Sequence, residues 1–310
     1  MFEIAHLTDL HIGPLPNVSY RQLLSKRFFG FLSWHRKRHL LHRIDVIEAL
    51  LADLATHHAD HTVITGDMVN IALAQEFKNA ATWLERFGPP DEVSLVPGNH
   101  DAYVKGRYRE HWDLWRDYMT MDGGDHISFP YVRRRGPVAF VGLSSAIPSP
   151  VAFAYGRMGR QQVQALEPIL RQLRSEECFI VILIHHPPLA RLHYRRNLRD
   201  HGEFAEVIAK TGADLVLSGH QHRHELGSLP GPDGPVPVIV TPSSSLDDPY
   251  RREEGGYMRL RIDPGDGRIA IQLRRYDRQR NAFQSDMEGH LMRKNDEVML
   301  VAGDWSTTAV

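Results

Sequence analysis

Nine oxygen and nitrogen donors recur just beyond apolar runs: Asp9 and His11; Asp67; Asn99, His100 and Asp101; His185; and His220 with His222. The sharpest case is Val96-Pro97-Gly98-Asn99-His100-Asp101. Glu92 to Val96 reads as a buried strand, and Pro97-Gly98 breaks it. Three polar side chains are thereby delivered to the C-terminal edge of a strand, where open α/β sheets bind ligands. Alone, such a tetrapeptide makes an ordinary turn as readily as a site. Recurrence at five strand ends argues for a site. The set contains no thiolate, which argues against a soft-metal or iron–sulfur centre. Imidazole with carboxylate suits Zn, Fe, Mn or Co, and seven or more donors are too many for one tetrahedral ion. Two ions sharing one carboxylate would use them all. Asp9, Asp67 and a bridging hydroxide would only partly neutralise two divalent ions. The residual positive charge suits a phosphate ester, and the neutral amide of Asn99 preserves it.

The elements that must position these donors follow from periodicity. Phe2–Leu7, Thr62–Thr65 and Glu92–Val96 read as strands, with helices over 42–59 and 73–87 between them. This β-α-β-α-β order predicts a parallel sheet with right-handed crossovers. Further on, 131–135 and 138–143 predict a hairpin, 161–174 and 204–211 predict helices, and 179–184 and 214–217 predict strands ending in His185-His186 and Ser218-Gly219-His220. Later strands are expected at 236–241, 257–262 and 268–276, antiparallel and in a second sheet. Beyond Asp277 the pattern is weak. With no repeat, low-complexity tract or clear linker, one domain over 1–310 is expected.

Residues 14–44 differ from the rest. They carry Arg21, Lys26, Arg27, Arg36, Lys37, Arg38 and Arg43 with no acidic residue, and Tyr20, Leu23, Leu24, Phe28, Phe31 and Leu32 recur at helical spacing. A basic amphipathic helix with aromatics suits an anionic membrane surface. The plainer alternative is an insertion whose apolar face packs on its own domain or on a second subunit.

Bulk composition is that of a globular protein, with 42% hydrophobic and 24% charged residues in 310. The net charge of −1 gives no global field for nucleic acid, and no nucleic-acid partner is expected. A lone cysteine, Cys178, excludes an internal disulfide and suits a reducing compartment. No signal peptide or membrane-length apolar run is read. The expected location is cytoplasmic, with the insertion allowing a peripheral place on the inner membrane.

The blocks Asp9-x-His11, Gly66-Asp67, Gly98-Asn99-His100-Asp101, His185-His186-Pro187 and Gly219-His220-x-His222 together resemble the calcineurin-like metallophosphoesterase superfamily. Each block is weak, but five in the family's order are specific. The resemblance implies an α/β fold of two packed β-sheets flanked by helices, and two divalent or mixed-valence ions (Mn, Fe or Zn). It implies that Asp9, His11 and His222 hold one ion and that Asn99, His185 and His220 hold the other, with Asp67 bridging. His100 would be catalytic and Asp101 would orient it, while His186 would touch substrate or solvent. His6, His35, His39, His42 and His126 lack such context and are expected to be structural or surface residues. The implied activity is phosphodiester hydrolysis, with similarity to bacterial class III cyclic-nucleotide phosphodiesterases. The insertion makes a lipid-linked phosphate or pyrophosphate the main rival substrate. A non-catalytic binding module is disfavoured because every ligand position is filled.

Overall fold

The computed structural model describes residues 1–106, 108–190, 192–251, 253–294 and 297–303. The end of the expected 1–310 unit, 304–310, lies outside them. The first strand, β1 (Phe2–Leu7), forms where the apolar run predicts it. The insertion follows as α1 (Tyr20–Leu23), α2 (Arg27–Ser33), a π-helical turn over Trp34–Arg38, and α3 (His39–Leu41). Two crossover helices, α4 (Ile44–Thr56) and α5 (Ala74–Phe87), alternate with β2 (His61–Ile64) and β3 (Val93–Leu95). The three strands run parallel in the order β1-β2-β3.

The hairpin forms as β4 (Tyr131–Arg135) and β5 (Val138–Gly142). It opens a second sheet with β6 (Phe179–Leu183), β7 (Leu215–Ser218), β8 (Glu225–Leu229) and β9 (Val236–Val240), in the order β4-β5-β6-β7-β9-β8. Two residues, Asp247–Asp248 (β10), pair with Glu253–Glu254 (β11). The chain then returns to the first sheet through β12 (Gly256–Asp263), β13 (Arg268–Asp277), β14 (Ala282–Lys294) and β15 (Glu297–Ala302).

Two sequence expectations are corrected here. The strand at 236–240 lies in the second sheet as expected, but it is antiparallel only to β8 and parallel to β7. Strands β12 and β13 are antiparallel, but they extend the N-terminal sheet because β12 pairs with β1 (Phe2 opposite Ile262). Strands β8, β14 and β15 were not legible. The accessible faces of β14 and β15 carry charged and apolar residues together, which blurs the period of two.

The sheets pack face to face and helices cover their outer sides. In β6, Phe179, Val181 and Leu183 enter the core shared with the first sheet. Ile180 and Ile182 face the helices Arg160–Ser175 and His201–Thr211, through residues such as Leu166, Leu170, Phe204 and Ile208. A strand buried on both faces must be apolar throughout, which is why β6 is an unbroken run. The two packed sheets flanked by helices are the architecture that the five blocks imply.

The insertion departs from the amphipathic helix expected over 14–44. Residues 14–18 are not helical, and the remainder is broken into short pieces. Trp34 and Leu41 are buried, and Phe31 packs on the core. Tyr20, Leu24, Phe28 and Phe29 face outward. Several of the cations turn inward instead.

Candidate metal centre

Loops at the C-terminal ends of β1, β2, β3, β6 and β7 bring the predicted donors together. Asp9, His11, Asp67, His220 and His222 have positive φ (51°, 42°, 56°, 70° and 56°). Left-handed backbone is costly for such residues and collects at functional sites. The turns therefore place donors rather than relieve strain.

Each carboxylate is held by one oxygen and presents the other. Asp9 Oδ2 accepts from Thr8 Oγ1 and the His220 amide, both at 2.8 Å. Asp9 Oδ1 is buried and makes no hydrogen bond, although His222 Nε2 lies 3.1 Å away. Asp67 Oδ1 accepts from the His100 amide at 2.7 Å. Asp67 Oδ2 faces both His185 Nε2 at 3.4 Å and His11 Nε2 at 3.8 Å. One carboxylate oxygen thus lies between two donor groups. One group joins Asp9, His11 and His222, whose His11 and His222 Nε2 atoms are 3.3 Å apart. The other joins His185, Asn99 Oδ1 at 3.3 Å and His220. The Nε2 of His220 is buried and unpartnered. Orphaned buried atoms are rare unless a ligand satisfies them, so these donors fit a pair of cations. His185 Nδ1 lies 2.6 Å from the Thr65 carbonyl, and donating there leaves its Nε2 lone pair free.

Electrostatics agree. Burial opposes charge on His185, but Asp67 and Asp9 outweigh it and raise His185 to about 9. Burial likewise opposes ionised Asp9 and Asp67, yet neighbouring histidines, led by His222 and His185 respectively, lower both. Two buried carboxylates demand positive charge at this spot. His220, lowered to about 3 by burial and then by His185, stays neutral, whereas His185 would release its proton to a bound cation.

Two role expectations change. Asp101 does not contact the His100 ring. Its carboxylate accepts from the amides of Asp67 (2.8 Å), Met68 (3.0 Å), Val69 (3.1 Å) and Gly98 (2.8 Å). It pins the β2 and β3 loops together. Burial, then Asp67, pushes Asp101 up to about 7 against the pull of those amides. The partner of His100 Nδ1 is the Asn70 carbonyl. His186 does not reach solvent but adjoins the second donor group, since one ring nitrogen lies within 4.8 Å of those offered by His185 and His220. It is buried between Ser145 Oγ (2.8 Å) and the Ala154 carbonyl (3.2 Å), with its ring 4.4 Å from that of His220.

Other residues near the centre were missed. Arg38, half-buried, puts Nη2 2.8 Å from His11 Nδ1 and Nη1 3.5 Å from His100 Nδ1. Lys26 Nζ donates to Ser149 Oγ at 2.9 Å and lies 4.5 Å over the Tyr103 ring; burial lowers it to about 8. His42, expected to be structural or at the surface, is buried with its ring tilted 4.4 Å from that of His11, and it pairs with Ser245 Oγ at 2.9 Å. Ser243 Oγ donates to the Asp9 carbonyl at 2.7 Å. The serine run at 243–245 had a signal: it is one more polar cluster after an apolar strand. Arg38 had none, because its direction depends on how the insertion folds. A cavity of about 680 Å³ opens from Asp67, Asn99, His100, His220 and His222 past Lys26 and Arg38 to the surface.

Of the histidines expected to be structural or surface, His6 is buried between Thr65 and Thr241 hydroxyls, and His35 and His126 are exposed. Among the described residues, no helix is long and apolar enough to cross a membrane.

A model of calcineurin-like phosphoesterases matches residues 2–224. A dimetal phosphatase from Danio rerio is similar in structure with a TM-score of 0.61 at 14% identity, over 88% of this chain and 96% of that one. A purple acid phosphatase from yellow lupin (Lupinus luteus) seeds is similar with a TM-score of 0.56 at 12% identity, over 88% of this chain but 51% of that one. At such identities the likeness is one of fold. No curated protein sequence matches the chain.

Proposed function

Because the chain belongs to the calcineurin-like phosphoesterase family, whose members hydrolyse phosphoric esters, we propose that it cleaves a phosphodiester at a dinuclear metal centre. The observation that carries this is Asp67 Oδ2 facing His11 and His185 at once, which supports two ions sharing one carboxylate. In this reading Asp9, His11 and His222 would hold one ion and Asn99, His185 and His220 the other, with Asp67 available to both. When bound, the ions supply an activated water and offset charge on the phosphoryl oxygens.

The chain's own residues do the rest. His11 Nδ1 has two candidate partners, the Val69 carbonyl at 3.3 Å and Arg38 at 2.8 Å. Only the tautomer that donates to Val69 leaves Nε2 as a ligand. It also frees the Arg38 guanidinium for a phosphate oxygen in the cavity. His100 donates Nδ1–H to Asn70, so Nε2 is the atom that gives a proton to the leaving alkoxide. Burial, then Arg38, lowers His100 to about 3, so the bound phosphate anion must draw that proton in. Asp101 positions the metal-binding loops and has no part in proton transfer. Cyclic nucleotides are the first soluble diesters to try, since the motif set resembles that branch.

The test is hydrolysis of an aryl phosphodiester and its matching monoester, with Mn²⁺ and with chelator, beside Asp67→Ala. Diester cleavage that needs metal and fails in the variant is expected. Cleavage indifferent to chelator would sink the dinuclear reading, and monoester-only activity would replace the diesterase with a phosphatase.

A further inference from the structure

Among the described residues, eight of the fourteen exposed large apolar side chains lie on the insertion or beside residues that line the cavity. Tyr20, Leu24, Phe28 and Phe29 on the insertion are exposed, Tyr20 at 91% and Leu24 at 85%. Phe29 lines the cavity that leads to the metal centre, and its ring meets Phe28 at 5.6 Å. Leu40, Val151 and Tyr250 are also exposed, each next in sequence to a cavity-lining residue, namely Leu41, Ala152 and Arg251. Tyr194 continues this border, its ring 6.1 Å from the cavity-lining Phe153. Apolar groups of this size do not collect around one opening by chance in a solvated surface.

The same border is basic. Lys37, Arg196, Arg223 and Arg251 outnumber Asp248 and Glu253 along the opening, and Arg21 and Arg36 are exposed on the insertion. Segment 14–44 carries seven cations and no acid in a chain of net charge −1, so the remainder of the chain is at −8 (−1 minus 7). We propose that this aromatic and basic rim docks on an anionic lipid bilayer, setting the mouth of the metal centre at the headgroup level. Aromatic and leucine side chains enter the interface while neighbouring arginines and lysines meet lipid phosphates. A second copy of the chain fits less well, because a twofold contact would set the same cations against themselves. Inward anchoring by Lys26, Arg27 and Arg38 fixes the rim to the site: Arg27 Nε donates to the Ile71 carbonyl at 2.9 Å, and Arg38 reaches His11. Docking therefore brings lipid-borne phosphoesters to the metal centre, a substrate class that rests on the esterase reading; the docking itself does not.

The experiment is co-sedimentation of the full chain with phosphatidylcholine vesicles, with and without phosphatidylglycerol, at low and high salt. Two variants run beside it, Leu24→Ser/Phe28→Ser and Arg21→Glu/Arg36→Glu, none of whose positions belongs to the metal centre. The wild type should bind the phosphatidylglycerol vesicles and release at high salt. Each variant should bind about tenfold more weakly while keeping wild-type turnover of a soluble aryl diester. No binding at low salt, or equal binding by the variants, overturns the proposal. So does a concentration-dependent dimer that Leu24→Ser/Phe28→Ser abolishes without any vesicle binding. Diester turnover without vesicle binding would remove docking alone, and vesicle binding without turnover would remove the esterase reading alone.

Discussion

His100 and Arg38 meet beside the cavity, one from the loop after β3 and one from the insertion, with Arg38 Nη1 3.5 Å from His100 Nδ1, and they should fail differently. Neither is placed as a metal ligand, so His100→Ala and Arg38→Ala should both retain metal by elemental analysis. Loss of a general acid costs roughly 10²–10⁴-fold, and the loss should be larger for an alkyl leaving group than for a nitrophenolate, which needs no proton. Normal turnover of the alkyl ester by His100→Ala would remove that role. Arg38→Ala should lower kcat/KM by about 10–100-fold, the worth of a charge-assisted contact to phosphate, whatever the leaving group. Arg38→Lys should recover only part, because it keeps the charge but loses the fork. Equal sensitivity of the two variants to leaving-group pKa would mean that they do not act separately.

At the scale of elements, the strand ends were legible and the loops between them were not. Apolar runs stopping at Asp9, Asp67, Asn99, His185 and His220 marked where donors would lie, because strands buried on both faces are mostly apolar up to their ends. Nothing in the sequence showed that Asp101 would turn away from His100 to collect four amides, or that Arg38 would arrive from residues 34–38. Both depend on backbone direction in turns, which residue type does not fix. The glycines beside the donors were legible as breaks, but their use is spatial. A Cβ at Gly98 would fall on Asp67 Oδ1, and one at Gly219 would fall on Thr8 Oγ1 and Asp9 Oδ2. Gly98→Ala should therefore displace Asp67, whose Oδ2 faces both His11 and His185. Loss of such support costs metal affinity roughly 10–100-fold. Competition with a chelator would read it, and wild-type affinity in Gly98→Ala would show that the loop adapts without cost.

For the molecule as a whole, the seam between the two sheets carries a pH dependence of its own. His61 in β2 is buried against Phe140 of the second sheet, with ring centroids 4.5 Å apart, and its Nε2 pairs with Ser94 Oγ at 2.8 Å. Burial, then Arg135 and Arg133, lowers His61 to about 3. The unfolded chain titrates the same group near 6.5. Between these values the unfolded state binds a proton that the folded state refuses, so stability falls as pH drops from 6.5 towards 3. The slope is about 1.4 kcal/mol per pH unit, or about 2 kcal/mol at pH 5. His6, lowered to about 3 chiefly by burial, acts in the same direction. Other buried groups, His220 among them, respond to acid in the same direction, so the wild-type acid limb alone assigns nothing. The difference between variants does. His61→Gln should be less stable than wild type at pH 7, because it loses the stack on Phe140. It should lose about 2 kcal/mol less than wild type between pH 7 and pH 5, measured by urea unfolding in the presence of chelator. An equal loss in both proteins would mean that His61 takes up its proton without opening the seam between the sheets.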